Sequence, residues 1–328
     1  MLPNILFLSP WFREVIWGGQ GLREHYNKAL SPKKRIGESW EVSASSGMES
    51  IVSGGPFHGY TLRQLVDTHG EELLGSLIYT RYKGQFPILI KLLDAQENLS
   101  VQVHPDDDYV QSHNLGNFGK MEAWYILHSK SGKIAYGLKP KIGKSEIQAA
   151  ILENCVEDTL EFFHVEAGDV VYLPPGTLHA LCRGVIAYEV QQSSNLTFRI
   201  YDYNRRDPND NLRELHIKQA LDVITFPDNP HKPVNWRTFA NKTETCVKLV
   251  QSKHFLLERY SPITSKTEHT FSSSFATITF LSGKAELKSD RESQNISKGD
   301  TFLIPAGRTF TIAQRSSHSL EYLIATIP

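Results

Sequence analysis

Apolar residues along this chain fall mostly into short runs, several of which alternate with polar positions. Early examples are ILFL near the start, SWEVSA at 39–44, FPILIKLL at 86–93 and LSVQVH at 99–104. The pattern continues with AWYIL at 123–127, VVYL at 170–173, VIAYEVQ at 185–191 and LTFRIYDY at 196–203. A period of two predicts strands with one buried face. Many short strands separated by Gly, Pro and Asn predict a barrel or a two-sheet sandwich. Three segments carry helical spacing instead: TLRQLVDTHGEELLGSLI (61–78), KSEIQAAILENC (144–155) and LRELHIKQALDVI (212–224). These are expected as helices packed outside or between the strands.

After residue 224 the stretch TFPDNPHKPVNW carries three prolines and little periodicity, which marks a linker. Strands resume beyond it, in FATITFLSGKAELK, DTFLIPAGRTFTIA and LEYLIATIP. The expected division is therefore residues 1–235 and 236–328. A short repeat supports it. GDVVYLPPGTLH (168–179) and GDTFLIPAGRTF (299–310) share Gly-Asp, Pro and Gly at equal offsets. The expectation is a mainly β chain of two related barrels with a few peripheral helices. His179 of the first copy is Phe310 in the second. Packing in such a turn therefore does not itself require an imidazole. The second barrel is expected to bind no metal and to bury Phe310.

Composition narrows the partners. The chain has 328 residues, a formal net charge of −1, 40% hydrophobic and 22% charged residues. Those values are ordinary for a globular protein and give no reason to expect nucleic acid or an anionic membrane as partner. An anionic ligand would have to be met by a local pocket. No apolar stretch approaches the roughly 18 residues of a membrane-spanning helix. The start, MLPNILFLSPWFREV, reads as a first strand and not as a signal peptide. Cys155, Cys182 and Cys246 are an odd number without metal spacing, which fits a reduced cytoplasm.

Candidate chemistry gathers in the first part. In VQVHPDD, Gln102 and His104 lie two apart on a predicted strand and so leave the same face. Pro105 ends that strand. Glu122 stands just before AWYIL, and His179 follows its PxG turn. Gln102, His104, Glu122 and His179 are oxygen and nitrogen donors of the kind that suit zinc, with other divalent first-row ions as alternatives. With 13 histidines in the chain, a solvated or hydrogen-bonded histidine is the plain alternative. GKS at 143–145 does not extend to a phosphate loop, because Leu138 stands where Gly is required.

The turn GDVVYLPPGTLHAL resembles the second motif of the cupin superfamily, whose small barrels hold a metal at the mouth. A fuller set resembles the type I phosphomannose isomerases in their short form. It comprises IWGG (16–19), GESWEVSA (37–44), KLLDAQENLSVQVHPDD (91–107), GKMEAWYIL (119–127), PPGTLHAL (174–181) and YEVQQSSNLTFRIYDYNR (188–205), in order. The resemblance implies two cupin-like jelly-roll barrels and one zinc ion per chain, held by His104, Glu122 and His179 with Gln102 as a fourth ligand in some members. It places the family's catalytic arginine on Arg199, and its site lysines and glutamate on Lys91, Lys120 and Glu189. After Glu189 the sequence QQSSN departs from longer relatives.

The family interconverts mannose 6-phosphate and fructose 6-phosphate. That change moves a proton between C2 and C1 and passes through an enediol with charge on oxygen. A divalent cation or a fixed guanidinium stabilises such an oxyanion. Arg199 is expected at that charge or orienting the sugar near the metal, and Glu189, Lys120 and Lys91 as proton carriers. Ser100, Lys120 and Arg205 or Arg206 are candidates for the phosphate. Trp17 and Trp40 are candidates for a sugar cleft or for the core. Two other readings stay open: an iron cupin oxygenase, and a sugar-phosphate sensor without catalysis. The implied partner is a hexose 6-phosphate.

Overall fold

Alternation along the sequence becomes four antiparallel sheets in the computed structural model, which describes residues 1–207, 209–226, 245–290, 292–315 and 319–328. A six-stranded sheet runs in the order Val170–Leu173, Glu122–Ser129, Val185–Gln192, Ile88–Ala95, Ile36–Val42, Trp11–Gly19. A five-stranded sheet follows the order Phe198–Tyr201, Val101–Val103, His179–Leu181, Lys133–Leu138, Leu160–His164. Their inner faces share one core, with Leu93, Trp124 and Ile126 of the first sheet against Ile134, Tyr136 and Leu181 of the second. This is the first barrel.

The second barrel pairs a seven-stranded sheet with a four-stranded one. Its core joins Ile278, Phe302 and Tyr322 to Leu287, Phe310 and Ile312. Phe310 is 1% exposed, as bulk in place of a ligand requires. Between the barrels lies a third apolar layer. Leu92, Tyr188 and Val190 from the six-stranded sheet meet Leu257, Leu303 and Leu323 there. The strands Ile88–Ala95 and Val185–Gln192 are therefore buried on both faces along their whole length. Double burial removes the need for alternation, which is why FPILIKLL reads as a continuous apolar run.

The two copies of the Gly-Asp turn have the same geometry. Gly168 and Gly299 have φ of 98° and 91°, and Gly176 and Gly307 have 83° and 72°. Asp169 Oδ2 accepts from the Glu166 amide at 2.8 Å, and Asp300 Oδ2 accepts from the Ser297 amide at 2.8 Å. The repeat is one strand–turn–strand unit used twice.

Helices follow the sequence with shifted bounds. Residues 61–78 form two helices, Leu62–Leu74 and Ser76–Arg81, divided at Gly75, whose φ is 85°. Thr61 and Gln64 make a reciprocal capping box at the start of the first. Lys144–Leu152 and Ile217–Val223 cover the outer face of the five-stranded sheet. The expected division at residue 235 lies outside the described residues. Leu6–Ser9, which that division assigns to the first barrel, lies in the seven-stranded sheet of the second, with Leu6 and Phe7 paired to Leu303 and Phe302 and with Leu8 and Ser9 paired to Val52 and Ile51. The first apolar run thus serves the far end of the chain.

Candidate metal centre and the cavity beside it

Three strand ends bring the donor residues together. His104 follows Val101–Val103, where Pro105 stops the ladder. Glu122 opens Glu122–Ser129, paired with Leu173. His179 opens His179–Leu181 after the turn at Gly176. The ligand atoms of His104, Glu122 and His179 all lie within 4.8 Å of one another, and this is the one such group among the described residues. All three side chains are at most 2% exposed.

Their hydrogen bonds fit a cation. His104 Nδ1 donates to the Leu196 carbonyl at 2.8 Å, and His179 Nδ1 donates to the Thr177 carbonyl at 2.9 Å. Each bond fixes the tautomer and leaves Nε2 as a lone-pair donor. Those Nε2 atoms stand 3.6 and 3.1 Å from the Glu122 carboxylate. Both Glu122 oxygens are buried and neither meets hydrogen-bond geometry, although Lys120 Nζ pairs with Oε2 at 2.8 Å. A buried carboxylate without donors is costly unless a cation stands nearby. Burial alone would raise the Glu122 carboxyl, but Lys120 and the histidines hold it well below its ordinary value. Burial, with Lys120 adding to it, pushes His104 well below the ordinary histidine value. The set is thus an anionic carboxylate and a neutral imidazole beside the second histidine, which fits a divalent metal.

Two rows of side chains run out from this centre. Across the five-stranded sheet Arg199, Gln102, His179 and Tyr136 are in register. Gln102 Nε2 is 3.4 Å from His179 Nε2. Across the six-stranded sheet the row is Trp40, Lys91, Glu189 and Trp124. Trp124 and His179 meet edge to face at 5.4 Å, which joins the two rows. The predicted residues Gln102, Arg199, Lys91, Glu189 and Lys120 all line one cavity with Trp17 and Ser100.

Electrostatics divide these residues. Lys91 Nζ lies 3.5 Å from Glu38 and 3.3 Å from Glu189, over the Trp40 ring at 4.6 Å. Burial would lower its pKa, but the two carboxylates hold it above the ordinary lysine value. Lys91 is therefore a fixed ammonium. Glu189 Oε2 accepts from Trp124 Nε1 at 2.9 Å. Lys120 Nζ touches the metal set directly, 2.8 Å from Glu122 and 3.0 Å from His104 Nε2. Trp40 is fully buried and donates to Glu38 at 2.8 Å, so it belongs to the wall's core; Trp17 lines the cavity.

Three residues that sequence reading missed complete the cavity: Arg13, Glu38 and Arg213. Glu38 joins Arg13, at 3.1 Å, to Lys91. Arg199 donates from Nε to Ser100 Oγ at 3.0 Å. Burial, and then the charges of Arg213, Arg13 and Arg205 against one carboxylate, Asp202, pull Arg199 down to about 10. Five cationic side chains and two carboxylates, Glu38 and Glu189, line the cavity. The two arginines first considered for phosphate are elsewhere. Arg205 is bound to Asp202 and the Asn98 carbonyl, and Arg206 is exposed and paired with Asp210.

Fold and site together define a cupin-type double barrel with a buried His–Glu–His donor set at one mouth. Residues 5–145 match the family model "Phosphomannose isomerase type I, catalytic domain". The chain is 35% identical over 309 residues to mannose-6-phosphate isomerase ManA of Bacillus subtilis, covering 94% of this chain and 95% of that protein. It is 34% identical over 301 residues to the mannose-6-phosphate isomerase of Streptococcus mutans, covering 92% of each. The crystal structure of the mannose 6-phosphate isomerase from Bacillus subtilis superposes with a TM-score of 0.87, at 34% identity over 98% of this chain and 99% of that one. The chain belongs to the type I phosphomannose isomerase family.

Proposed function

We propose that this chain is a metal-dependent aldose–ketose isomerase that interconverts mannose 6-phosphate and fructose 6-phosphate. The observation that carries the reading is one cavity that sets excess cationic charge beside a His–Glu–His donor set. A half-buried group of guanidiniums repels itself, and a phosphate dianion relieves that repulsion. Dioxygen would not, which disfavours the oxygenase reading.

His104, Glu122 and His179 would hold the metal, with Gln102 as a further donor, and zinc suits that nitrogen and oxygen set. A bound zinc supplies Lewis-acid charge and no redox chemistry, as an isomerisation needs. Arg199 faces the sugar oxygens and stabilises charge as the enediol forms. Arg13 and Arg213, with Ser100, bind and orient the phosphate. Lys91, held protonated between Glu38 and Glu189, orients the hydroxyls and is removed from the bases. Lys120 and Glu189 remain to carry the proton between C2 and C1. Three free cysteines fit work in a reducing compartment such as the cytoplasm.

The test is a coupled assay for fructose 6-phosphate formation from mannose 6-phosphate. Chelation should abolish turnover and zinc restore it, while free mannose reacts poorly and no oxygen is consumed. Metal-independent turnover, or oxygen uptake in its place, would overturn the reading.

A further inference from the structure

Lys120 and Glu122 belong to a stretch whose orientation no sheet ladder secures until Glu122 itself, because residues 114–121 form a loop. Three consecutive amides of that loop are nevertheless held. Asp107 Oδ1 accepts from the Gly119 amide at 2.8 Å. The Pro105 carbonyl accepts from the Lys120 amide at 2.9 Å. Gln192 Oε1 accepts from the Met121 amide at 2.9 Å, and the Gln192 amide donates to the Met121 carbonyl at 3.0 Å.

The two side-chain anchors are themselves joined. Gln192 Nε2 donates to the same Asp107 Oδ1 at 2.9 Å. Gln192 is 2% exposed, at the end of the strand that carries Glu189. Asp107 lies three residues after His104. A Cβ on Gly119 would stand 2.5 Å from the Asp106 carbonyl carbon, so the loop is seated closely on this segment. The other Asp107 oxygen faces Lys253 and His254 of the second barrel at 3.7 Å, too far for a hydrogen bond.

We infer that Asp107 and Gln192 are positioning residues that form one hydrogen-bonded clamp, fixing the backbone of residues 119–121 so that Lys120 meets the reacting sugar in register with the donor set that Glu122 completes. The role assigned to Lys120 rests on the isomerase reading; the clamp itself does not. Neither residue lines the cavity. A small displacement of a proton-carrying group costs rate far more than affinity.

The experiment compares Gln192→Leu, Asp107→Ala and Asp107→Asn in the metal-loaded full chain. Hydrogen–deuterium exchange at residues 119–121 is read first, because it does not depend on any substrate. Exchange should rise at least about tenfold in Gln192→Leu and Asp107→Ala. It should stay near wild type in Asp107→Asn, which keeps a neutral acceptor for both donors. With mannose 6-phosphate, kcat should fall about 10- to 100-fold in the first two, with KM within about twofold and metal content unchanged. Asp107→Asn should recover most of kcat, and the Asp107→Ala/Gln192→Leu double variant should lose little more than either alone. Unchanged exchange, a rise in KM with kcat intact, or strictly additive losses would overturn the clamp. If Gln192→Leu does not fold, the partly exposed Asp107 pair decides alone. Raised exchange in these variants, with no isomerase activity in the wild type, would uphold the clamp and sink the isomerase reading instead.

Discussion

At the residue scale the donor set carries the sharpest test. His179 has its Nδ1 committed to a backbone carbonyl and its Nε2 aimed at Glu122. His179→Ala should therefore lose metal while far-UV circular dichroism and solubility stay close to wild type. Full metal occupancy in that variant would refute the assignment. Arg199 tests mechanism separately. Arg199→Ala should lower kcat about 100-fold or more with metal content unchanged, as loss of other oxyanion donors does. Arg199→Lys should rescue little, since a flexible ammonium does not reproduce a fork held by Ser100 and the Glu214 carbonyl. A rise in KM alone would make Arg199 a binding group for the phosphate.

How much of this was readable from the chain depends on the kind of signal. His104, Glu122 and His179 stood out because donor residues sat beside Pro and Gly signals at strand ends. Arg13, Glu38 and Arg213 gave no such sign. Arg13 lies in Trp11–Gly19, where the register shifts between Arg13 and Glu14, so alternation does not say which way it points. Arg205 and Arg206 look equally cationic in sequence, and only the fold shows them spent on Asp202 and Asp210. Charge sign is written in the sequence; the counter-charges that neutralise it are not.

At the scale of elements, the repeated turn was legible because Gly at positive φ leaves a fixed imprint. The chain ends of the sheets were not, since pairing between distant strands leaves no local mark. The second copy of the turn carries its own prediction. Phe310 is packed among Phe271, His269 and the barrel core, so Phe310→Ala should cost about 3–5 kcal/mol in chemical denaturation. Its cross-strand neighbour His269 is buried, and that burial lowers its pKa to about 4. An unfolded histidine titrates near 6.5. Between those values the unfolded chain binds more protons, so stability falls as pH drops from about 6.5 toward 4. Across that window the denaturation midpoint of wild type should fall relative to that of His269→Phe as pH is lowered. Parallel curves would show that His269 does not set the slope.

At the scale of the molecule the barrels share a wall. The strands Ile88–Ala95 and Val185–Gln192 hold Lys91 and Glu189 on one face and pack Leu92, Tyr188 and Val190 against the second barrel on the other. Lys28 crosses the same junction, buried at 2.6 Å from both Glu41 and the Gly299 carbonyl. A fragment ending at residue 226 would expose that apolar face and deprive the Lys28 ammonium of the Gly299 carbonyl. Such a fragment should be insoluble or fail to retain metal, and adding the C-terminal piece in trans should rescue it in part. A soluble, metal-loaded fragment would show that the first barrel stands alone.

The pairing of Leu6–Ser9 with Thr301–Ile304 also governs how the molecule comes into being. On a ribosome adding about 5–20 residues per second, the first strand waits roughly 15–60 s for its partner to be made. During that wait Leu6 and Phe7 lack their partners, while Leu8 and Ser9 can already pair with Val52 and Ile51, and the outer face of the six-stranded wall lacks the part of its cover that Leu257, Leu303 and Leu323 supply. Contacts between the two ends of a chain are the slowest to form, because the whole intervening loop must close first. The nascent chain therefore spends its most aggregation-prone interval with its first barrel already synthesised but not yet walled in.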